Sequence, residues 1–313
     1  MTLPFLPSDA AMLALQAAVV AAPREVPRLR LFQRLSGPWW AIVPVGSIVV
    51  VIYAIRYASG TATGLTYLAL VAVPPLAAGA MAWAARGPER WPRGRILVGI
   101  VIAAVLFALA ALDRNGLVGE GAAALLSALS CITLGVLLAA VTPAVWLKLG
   151  IVAMAAADTW LVISNLLQAP NATLIAAHPA AGLPQLQSEV FGSVSMGYGD
   201  LFVAALLGAV LASRPATQRS AALITLLLAS AFDVLFLVLD ELPATVPVAL
   251  TLIVIEAYAL YRRRRSRPGR QSSSGRGRAG PEAVGRGAVG GEALGPEAVA
   301  ALGRAAEDVP ARR

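Results

Sequence analysis

The sequence is nearly devoid of cysteine and histidine, with one residue of each, Cys131 and His178. A single cysteine excludes a disulfide framework, and the two residues together are too few for a Cys/His metal site. A Ser-His-Asp triad would have to use His178, which lies in a polar loop. We therefore expect neither a metal centre nor a serine hydrolase.

Charged residues are also scarce, at 13% of the chain, whereas hydrophobic residues make up 58%. No soluble domain needs that balance. Apolar runs of about 18–25 residues recur, which is the length that crosses the hydrocarbon core of a bilayer. The sequence thus predicts an all-α polytopic membrane protein with eight transmembrane helices. The predicted spans are residues 39–58, 64–85, 96–112, 121–141, 144–168, 190–212, 220–239 and 244–261.

The first 38 residues lack the basic start and the cleavage site of a signal peptide. Residues 10–22 are apolar but too short to span a bilayer, and four arginines follow them. This pattern predicts an interfacial amphipathic helix on the cytoplasmic side, within an N-terminal segment 1–38. If residues 10–22 enter the membrane instead, the number of spans rises to nine.

The net charge of +8 is concentrated at the C-terminal end. Residues 262–313 contain twelve Arg and five acidic residues, and therefore contribute seven of the eight net charges. This region is rich in Gly, Ala, Ser and Pro, so we predict a disordered basic cytoplasmic tail. We expect it to anchor the topology rather than to bind nucleic acid. The spans before it divide into N-terminal helices, 39–143, and a second group, 144–261, which contains the carboxylates discussed below.

The loops between the predicted spans alternate in charge. Arginines lie between spans two and three, between spans six and seven, and after span eight, whereas the other loops contain only Arg114. The positive-inside rule then places both termini in the cytoplasm of a multi-pass protein of the cell membrane. Lys148 and Glu256 lie near the cytoplasmic ends of their spans, where snorkelling of each side chain explains them.

Three carboxylates lie well inside predicted spans: Asp158, Asp200 and Asp233. A carboxylate in hydrocarbon costs at least ~2.5–3.5 kcal/mol, so each is a candidate functional residue. Asp158 precedes the outer end of span five, and Asp200 follows the outer start of span six, by about ten residues each. At ~1.5 Å per residue both lie roughly 15 Å below the outer surface. We therefore expect Asp158 and Asp200 to face each other.

Two carboxylates that meet in a low-dielectric site share one proton, because both cannot ionise together. One can then act as a general base on water while the other protonates the carbonyl oxygen or the leaving amine. Such a pair polarises its own water and needs no cofactor. Alternatively, each Asp is a lone packing or proton-relay residue. Asp233 is a further alternative, either as the partner of Asp200 in place of Asp158 or on a separate proton path.

The run Met-Gly-Tyr-Gly-Asp at residues 196–200 resembles the Gly-x-Gly-Asp motif of the intramembrane aspartyl proteases, the presenilin and signal peptide peptidase family. In that family the first aspartate lies on the preceding helix, which matches Asp158. A Pro-Ala-Leu motif opens the last helix, and Pro-Ala-Thr-Val-Pro at 243–247 resembles it. The resemblance covers about residues 144–261. It implies a presenilin-like bundle in which Asp158 and Asp200 hydrolyse peptide bonds within transmembrane segments.

The resemblance also implies residues that bind the substrate, a transmembrane peptide reached through the lipid bilayer. Gly197 and Gly199, with Tyr198 between them, would allow a peptide to approach the catalytic pair closely. Pro243, Ala244 and Pro247 would hold the substrate: prolines are tolerated at a helix start, and we expect this segment to stay extended and to bind an unwound peptide by strand addition. The predicted orientation resembles that of signal peptide peptidase rather than presenilin.

Three alternatives remain open. Gly-Tyr-Gly at 197–199 resembles a potassium-channel filter, although the chain between Asp200 and Arg214 is too short for the inner helix that a filter needs. Prepilin peptidases share Gly-x-Gly-Asp but usually place a Lys two residues later, where this chain has Phe202. A proton-coupled transporter with an intramembrane Asp relay also fits, although no internal repeat is visible.

Overall fold

The computed structural model describes residues 7–24, 59–84, 93–114, 116–164, 176–177, 179–180, 183–237 and 243–265. In these ranges the chain forms eight α-helices and one β-hairpin. The helices are α1 Pro7–Ala21, α2 Ser59–Ala84, α3 Arg93–Leu112, α4 Leu117–Val141, α5 Ala144–Ile163, α6 Tyr198–Leu211, α7 Pro215–Asp233 and α8 Thr245–Arg265. The antiparallel strands are β1 Ser188–Phe191 and β2 Val194–Gly197.

Four of the described helices are long and apolar enough to cross a membrane. They are Ala62–Ala82 within α2, α4, α5 and α8, and they match four of the eight predicted spans. Three further apolar helices are shorter: α1, Ile96–Leu112 within α3, and α6. Predicted span 39–58 lies outside the described residues. The helical character is confirmed, as is the presence of helices that suit a membrane.

The prediction of one continuous helix over residues 190–212 is wrong. A hairpin occupies its first part, with Phe191 opposite Val194 and a two-residue turn at Gly192 and Ser193. Gly192 has φ +62°, a conformation that glycine adopts without strain. Hydropathy averaged over a window does not distinguish an apolar helix from an apolar hairpin. The helix itself begins only at Tyr198 and has 14 residues.

The N-terminal helix α1 includes most of the segment predicted to be an interfacial helix. It packs against α6 and α7, with Met12, Val19 and Val20 buried in the main core. The close approach to α6 depends on Gly208, because a β-carbon at this position would collide with the carbonyl oxygen of Val20. The predicted boundary at residue 38 lies outside the described residues.

The C-terminal end of α1 is capped by a side chain from α7. Gln218 is buried, and its Nε2 atom donates to the carbonyl oxygens of Val20 at 2.9 Å and Pro23 at 2.7 Å. The last carbonyl groups of a helix have no intrahelical donors, so a buried helix end requires partners of this kind. Gln218 thereby joins α1 to the second half of the chain.

The main core extends over α1, α4, α5, α6, α7 and α8, on both sides of residue 143. Helix α4 packs closely along α6; a β-carbon on Gly135 of α4 would lie 2.9 Å from the backbone of Ala205. Helix α8 continues to Arg265, so the chain is still helical where the predicted tail begins at residue 262. The remainder of that tail lies outside the described residues.

Candidate active site

Asp200 is the third residue of α6, and the hairpin leads directly into it. Its Oδ2 atom accepts a hydrogen bond from the backbone N–H of Gly197 at 3.1 Å. Acidic residues are favoured in the first turn of a helix, where N–H groups lack helical partners. Asp200 therefore stands at the start of a short helix, not in the middle of a long one, and the depth comparison made from the sequence does not hold for it.

Asp158 and Asp200 lie on helices that pack against each other. Asp158 is half-buried on α5, and α5 contacts α6, whose first turn carries Asp200. Asp233 is buried at the last residue of α7, which also contacts α6.

Thr245 is a residue of the site that the sequence interpretation missed. It opens α8, is 4% exposed, and donates a hydrogen bond from Oγ1 to Asp158 Oδ2 at 2.7 Å. The contact joins the proline-containing segment to the carboxylate pair. The signal was present in the sequence, because Thr245 stands where the resembling motif has an apolar Leu, and a hydroxyl group there has a use only beside a polar partner.

The segment 243–247 is helical from Thr245 onward, so the prediction that it stays extended is wrong. The N–H of Val246 donates to the Pro243 carbonyl oxygen at 3.2 Å, and Pro247 is buried in the first turn of α8. A proline in the first turn removes an N–H group that has no helical partner, and its fixed φ suits the helix. The segment therefore meets the site through the Thr245 side chain rather than through a free strand edge.

The two glycines of the motif have different surroundings. A β-carbon on Gly197 would lie 3.2 Å from Asp200 Oδ2, so a larger residue would require the carboxylate that accepts from the Gly197 N–H to shift by a few tenths of an ångström. A β-carbon on Gly199 would meet no atom within 4 Å. Nothing in the described chain requires glycine at 199, and the open space beside it lies one residue from Asp200.

Tyr198 contacts helix α4. Its hydroxyl group forms a hydrogen bond with the Ser130 hydroxyl of α4 at 2.8 Å, and its carbonyl oxygen lies 3.7 Å from the Cys131 sulfur. These contacts attach the first turn of α6 to α4. The tyrosine predicted to bind substrate thus has a structural contact that holds the Asp200 helix in place.

A second polar contact joins α5 to α8. Lys148 Nζ lies 2.6 Å from Glu256 Oε1, so these residues form a salt bridge rather than snorkelling independently as predicted. Lys148 and Asp158 are ten residues apart on α5, while Thr245 and Glu256 are eleven apart on α8. At ~1.5 Å per residue both separations are about 15–17 Å. The two contacts therefore fit one antiparallel register of α5 and α8.

Within the described ranges, no group of three or more His, Cys, Asp or Glu residues is arranged to hold a metal ion. Cys131 is buried, and His178 lies outside the described residues. The chemistry of the site, as far as these ranges show it, consists of two carboxylates, one hydroxyl group and the backbone around them.

No protein-family model, no curated protein and no solved structure matches the chain. The function is therefore inferred from the geometry of the site together with the sequence motifs.

Proposed function

We propose that the chain is an intramembrane aspartyl protease, in which Asp158 and Asp200 hydrolyse peptide bonds within transmembrane segments. The observation that carries the proposal is the placement of Asp158 and Asp200 on two packed helices, with the Thr245 hydroxyl of α8 hydrogen-bonded to Asp158. Two carboxyl groups that share one proton can act together as general acid and general base.

The hydrogen bonds indicate which oxygen atoms take part. Asp158 Oδ2 accepts from Thr245 and Asp200 Oδ2 accepts from the Gly197 N–H. The two Oδ1 atoms are then the ones offered to water and to the shared proton. This arrangement holds each carboxyl group in one orientation, which a general acid and a general base both require.

The reaction follows from that arrangement. The carboxylate removes a proton from water, and the water oxygen attacks the peptide carbonyl carbon while the protonated carboxyl group gives its proton to the carbonyl oxygen. The tetrahedral intermediate then breaks its C–N bond: the first carboxyl group gives the proton that came from water to the amine nitrogen, and a hydroxyl group of the intermediate returns a proton to the second carboxylate as the C=O bond forms. The products are a carboxylic acid and an amine, and the two carboxyl groups again hold one proton between them. No cofactor is needed.

The substrate has to unwind, because a transmembrane helix keeps its backbone groups internally bonded. Strand β2 ends at Gly197 and continues directly into the turn that carries Asp200. A peptide added to the edge of this hairpin would be led toward Asp200, with the open space beside Gly199 available to its backbone. We propose this edge as the substrate site, in place of the segment 243–247.

The membrane arrangement that accompanies this function is part of the proposal. It has eight spans, or nine if residues 10–22 insert, a presenilin-like order of motifs over residues 144–261, and both termini in the cytoplasm. The substrates are transmembrane peptides, with no nucleic-acid partner. The charge pattern of the loops supports this orientation.

The geometry argues against the potassium-channel alternative. A filter requires extended backbone with carbonyl groups turned toward the ion. Here Tyr198 and Gly199 are already helical, so their carbonyl groups are directed along α6. The proton-coupled transporter is kept as an outcome of the test below.

The test uses purified protein in lipid vesicles with a reporter that contains one transmembrane segment. We expect Asp158→Asn and Asp200→Asn each to reduce cleavage to background while thermal unfolding stays within a few degrees of the wild type. Asp233→Asn is the matched control, a buried aspartate outside the pair, and should retain cleavage.

Other outcomes would contradict the assignment. If Asp200→Asn cleaves as well as the wild type, the chain is not an aspartyl protease of this kind. If Asp233→Asn abolishes cleavage and Asp158→Asn does not, Asp233 is the partner. The chain is a transporter if neither the wild type nor any variant cleaves the reporter, while the wild type shows proton flux that Asp200→Asn abolishes. The flux is measured with a pH-sensitive dye inside the vesicles.

A further inference from the structure

Gln16, on the third turn of α1, is buried beside the active-site segment. It is 1% exposed, and its Nε2 atom donates to the carbonyl oxygen of Ala244 at 3.0 Å. Its Oε1 atom is buried and has no hydrogen-bond partner among the described residues. The side chain thus uses its donor on one specific carbonyl group, 228 residues away along the chain, and leaves its acceptor unused.

The carbonyl group that accepts from Gln16 belongs to the residue before Thr245, which contacts Asp158. Ala244 is directly followed by Thr245, whose hydroxyl group donates to Asp158 Oδ2 at 2.7 Å. The orientation of the Ala244 peptide sets the position of the Thr245 backbone, and hence the direction of its hydroxyl group. A continuous path therefore leads from α1 through Ala244 and Thr245 to Asp158.

Helix α1 is well suited to act as a fixed support. At its start, the Ser8 hydroxyl lies 3.0 Å from the Ser193 hydroxyl in the hairpin turn. At its end, Gln218 binds the carbonyl oxygens of Val20 and Pro23. Gln16 lies between these two attachments, so its side chain projects from a helix whose ends are both held.

Stability alone does not explain a glutamine at this position. A buried amide oxygen without a partner costs more free energy than the one hydrogen bond at Nε2 returns. An apolar side chain of the same volume, such as Met, would remove that penalty. Buried polar groups that work against stability mark positions where function decides the residue.

We propose that Gln16 is a positioning residue of the active site, which acts by holding the Ala244 carbonyl so that Thr245 is directed at Asp158. The inference rests on the proposed protease function and adds α1 to the machinery. Gln16 does not touch the reacting atoms. Its effect is transmitted through Thr245 alone, which makes it separable from a general packing role.

The test is a double-mutant cycle with Gln16→Met and Thr245→Val, measured on reporter cleavage in vesicles. We expect each single variant to lower kcat about tenfold, the loss expected for one hydrogen bond to a charged group, with KM unchanged. The double variant should be no worse than Thr245→Val alone, because both changes break the same path. Thr245→Ser keeps the hydroxyl group and should retain activity.

Thermal unfolding separates positioning from packing. Gln16→Met should unfold at the same temperature as the wild type or above it, while its kcat falls. The matched control is Gln218→Met, the other buried glutamine that contacts α1: it should unfold at a lower temperature, and its effect on kcat should add to that of Thr245→Val. A fall in stability and kcat together for Gln16→Met, or additive losses with Thr245→Val, would overturn the inference.

A spectroscopic measurement makes the inference independent of activity. The infrared band of the Asp158 carboxyl group is identified as the band that Asp158→Asn removes. Thr245→Val should shift this band, and Gln16→Met should shift it in the same direction, whereas Gln218→Met should not. An unshifted band in Gln16→Met refutes the inference even if the protease function stands; shifted bands in a chain that shows no cleavage refute only the protease function.

Discussion

At the scale of single residues, the two motif glycines serve different purposes. Gly197 leaves room for the Asp200 carboxylate, whose Oδ2 atom would be 3.2 Å from any β-carbon at 197. Gly199 is adjacent to empty space and is exposed. The first glycine is therefore explained by a contact within the protein, whereas no contact among the described residues explains the second. A peptide backbone that approaches Asp200 closely would account for the second.

This difference yields a prediction for Gly199→Ala. The added methyl group meets nothing in the free protein, and replacing a helical glycine by alanine stabilises a helix by up to about 1 kcal/mol. In the complex the same methyl group would lie in the path of the substrate, at a cost of about 1–3 kcal/mol. We expect KM to rise by about tenfold or more while the unfolding temperature is unchanged or higher.

The control for this variant is Gly64→Ala. Gly64 is an exposed helical glycine on α2 whose β-carbon would also meet nothing within 4 Å. It should show the same small gain in stability with KM unaltered. Equal KM values for Gly199→Ala and the wild type would mean that no peptide uses the space at 199.

At the scale of secondary-structure elements, helix α5, which carries Asp158, is less buried than α4. Only 17% of its span is buried, compared with 50% of α4. It packs against α6, and two polar contacts connect it to α8: Lys148 with Glu256, and Asp158 with Thr245. Polar contacts between helices fix register, whereas apolar packing in a membrane gives little preference for one register over another. The salt bridge should therefore help to keep Asp158 level with Thr245.

Charge reversal tests this role of the salt bridge. Lys148→Glu and Glu256→Lys each replace this pair of opposite charges by two like charges. Each should lower the free energy of unfolding by about 1 kcal/mol, a modest loss because both side chains are partly exposed. Each should also reduce cleavage several-fold. The double exchange, Lys148→Glu with Glu256→Lys, restores opposite charges and should recover most of both quantities. If the exchange recovers stability but not cleavage, the pair does not set the register of the site.

At the scale of the whole molecule, the proposed active site lies where distant parts of the chain meet in one core. Helix α1 contacts the hairpin, α6 and α7, while α4 contacts both the hairpin and α6. Glu120 of α4 accepts from the Gly192 N–H at 2.7 Å, so the hairpin turn is held from α4 as well as from α1. Elements before residue 143 therefore contact the hairpin and the helix that carry Asp200.

The predicted orientation in the membrane can be tested by cysteine labelling, because Cys131 is buried and should not react. Ala180→Cys lies on the predicted outer side, in an exposed position, and Ser266→Cys lies in the predicted cytoplasmic tail. In intact cells a membrane-impermeant maleimide should label only Ala180→Cys; after permeabilisation it should label both. Labelling of Ser266→Cys in intact cells would show that the C-terminus is outside, and the orientation would then be wrong.

The amino-acid sequence alone determined the features that depend on local composition. Apolar length predicted the helices that became α2, α4, α5 and α8, since a bilayer-spanning helix is recognised by its own residues. The position of Asp200 after two glycines and the presence of Asp158 on the preceding helix are likewise local, and they were sufficient to suggest chemistry. These signals need no knowledge of which distant residues meet.

Only the tertiary structure decided the features that depend on partners far apart in the chain. A hairpin stands before Asp200 where a helix was predicted. The turn at Gly192 and the contact with Glu120 of α4 favour strand pairing, and a hydropathy average does not report strand pairing. The hydrogen bonds of Gln16 to Ala244 and of Thr245 to Asp158 join residues 228 and 87 positions apart. No local pattern encodes such pairs, because their free energy arises only when packing removes the alternatives offered by water.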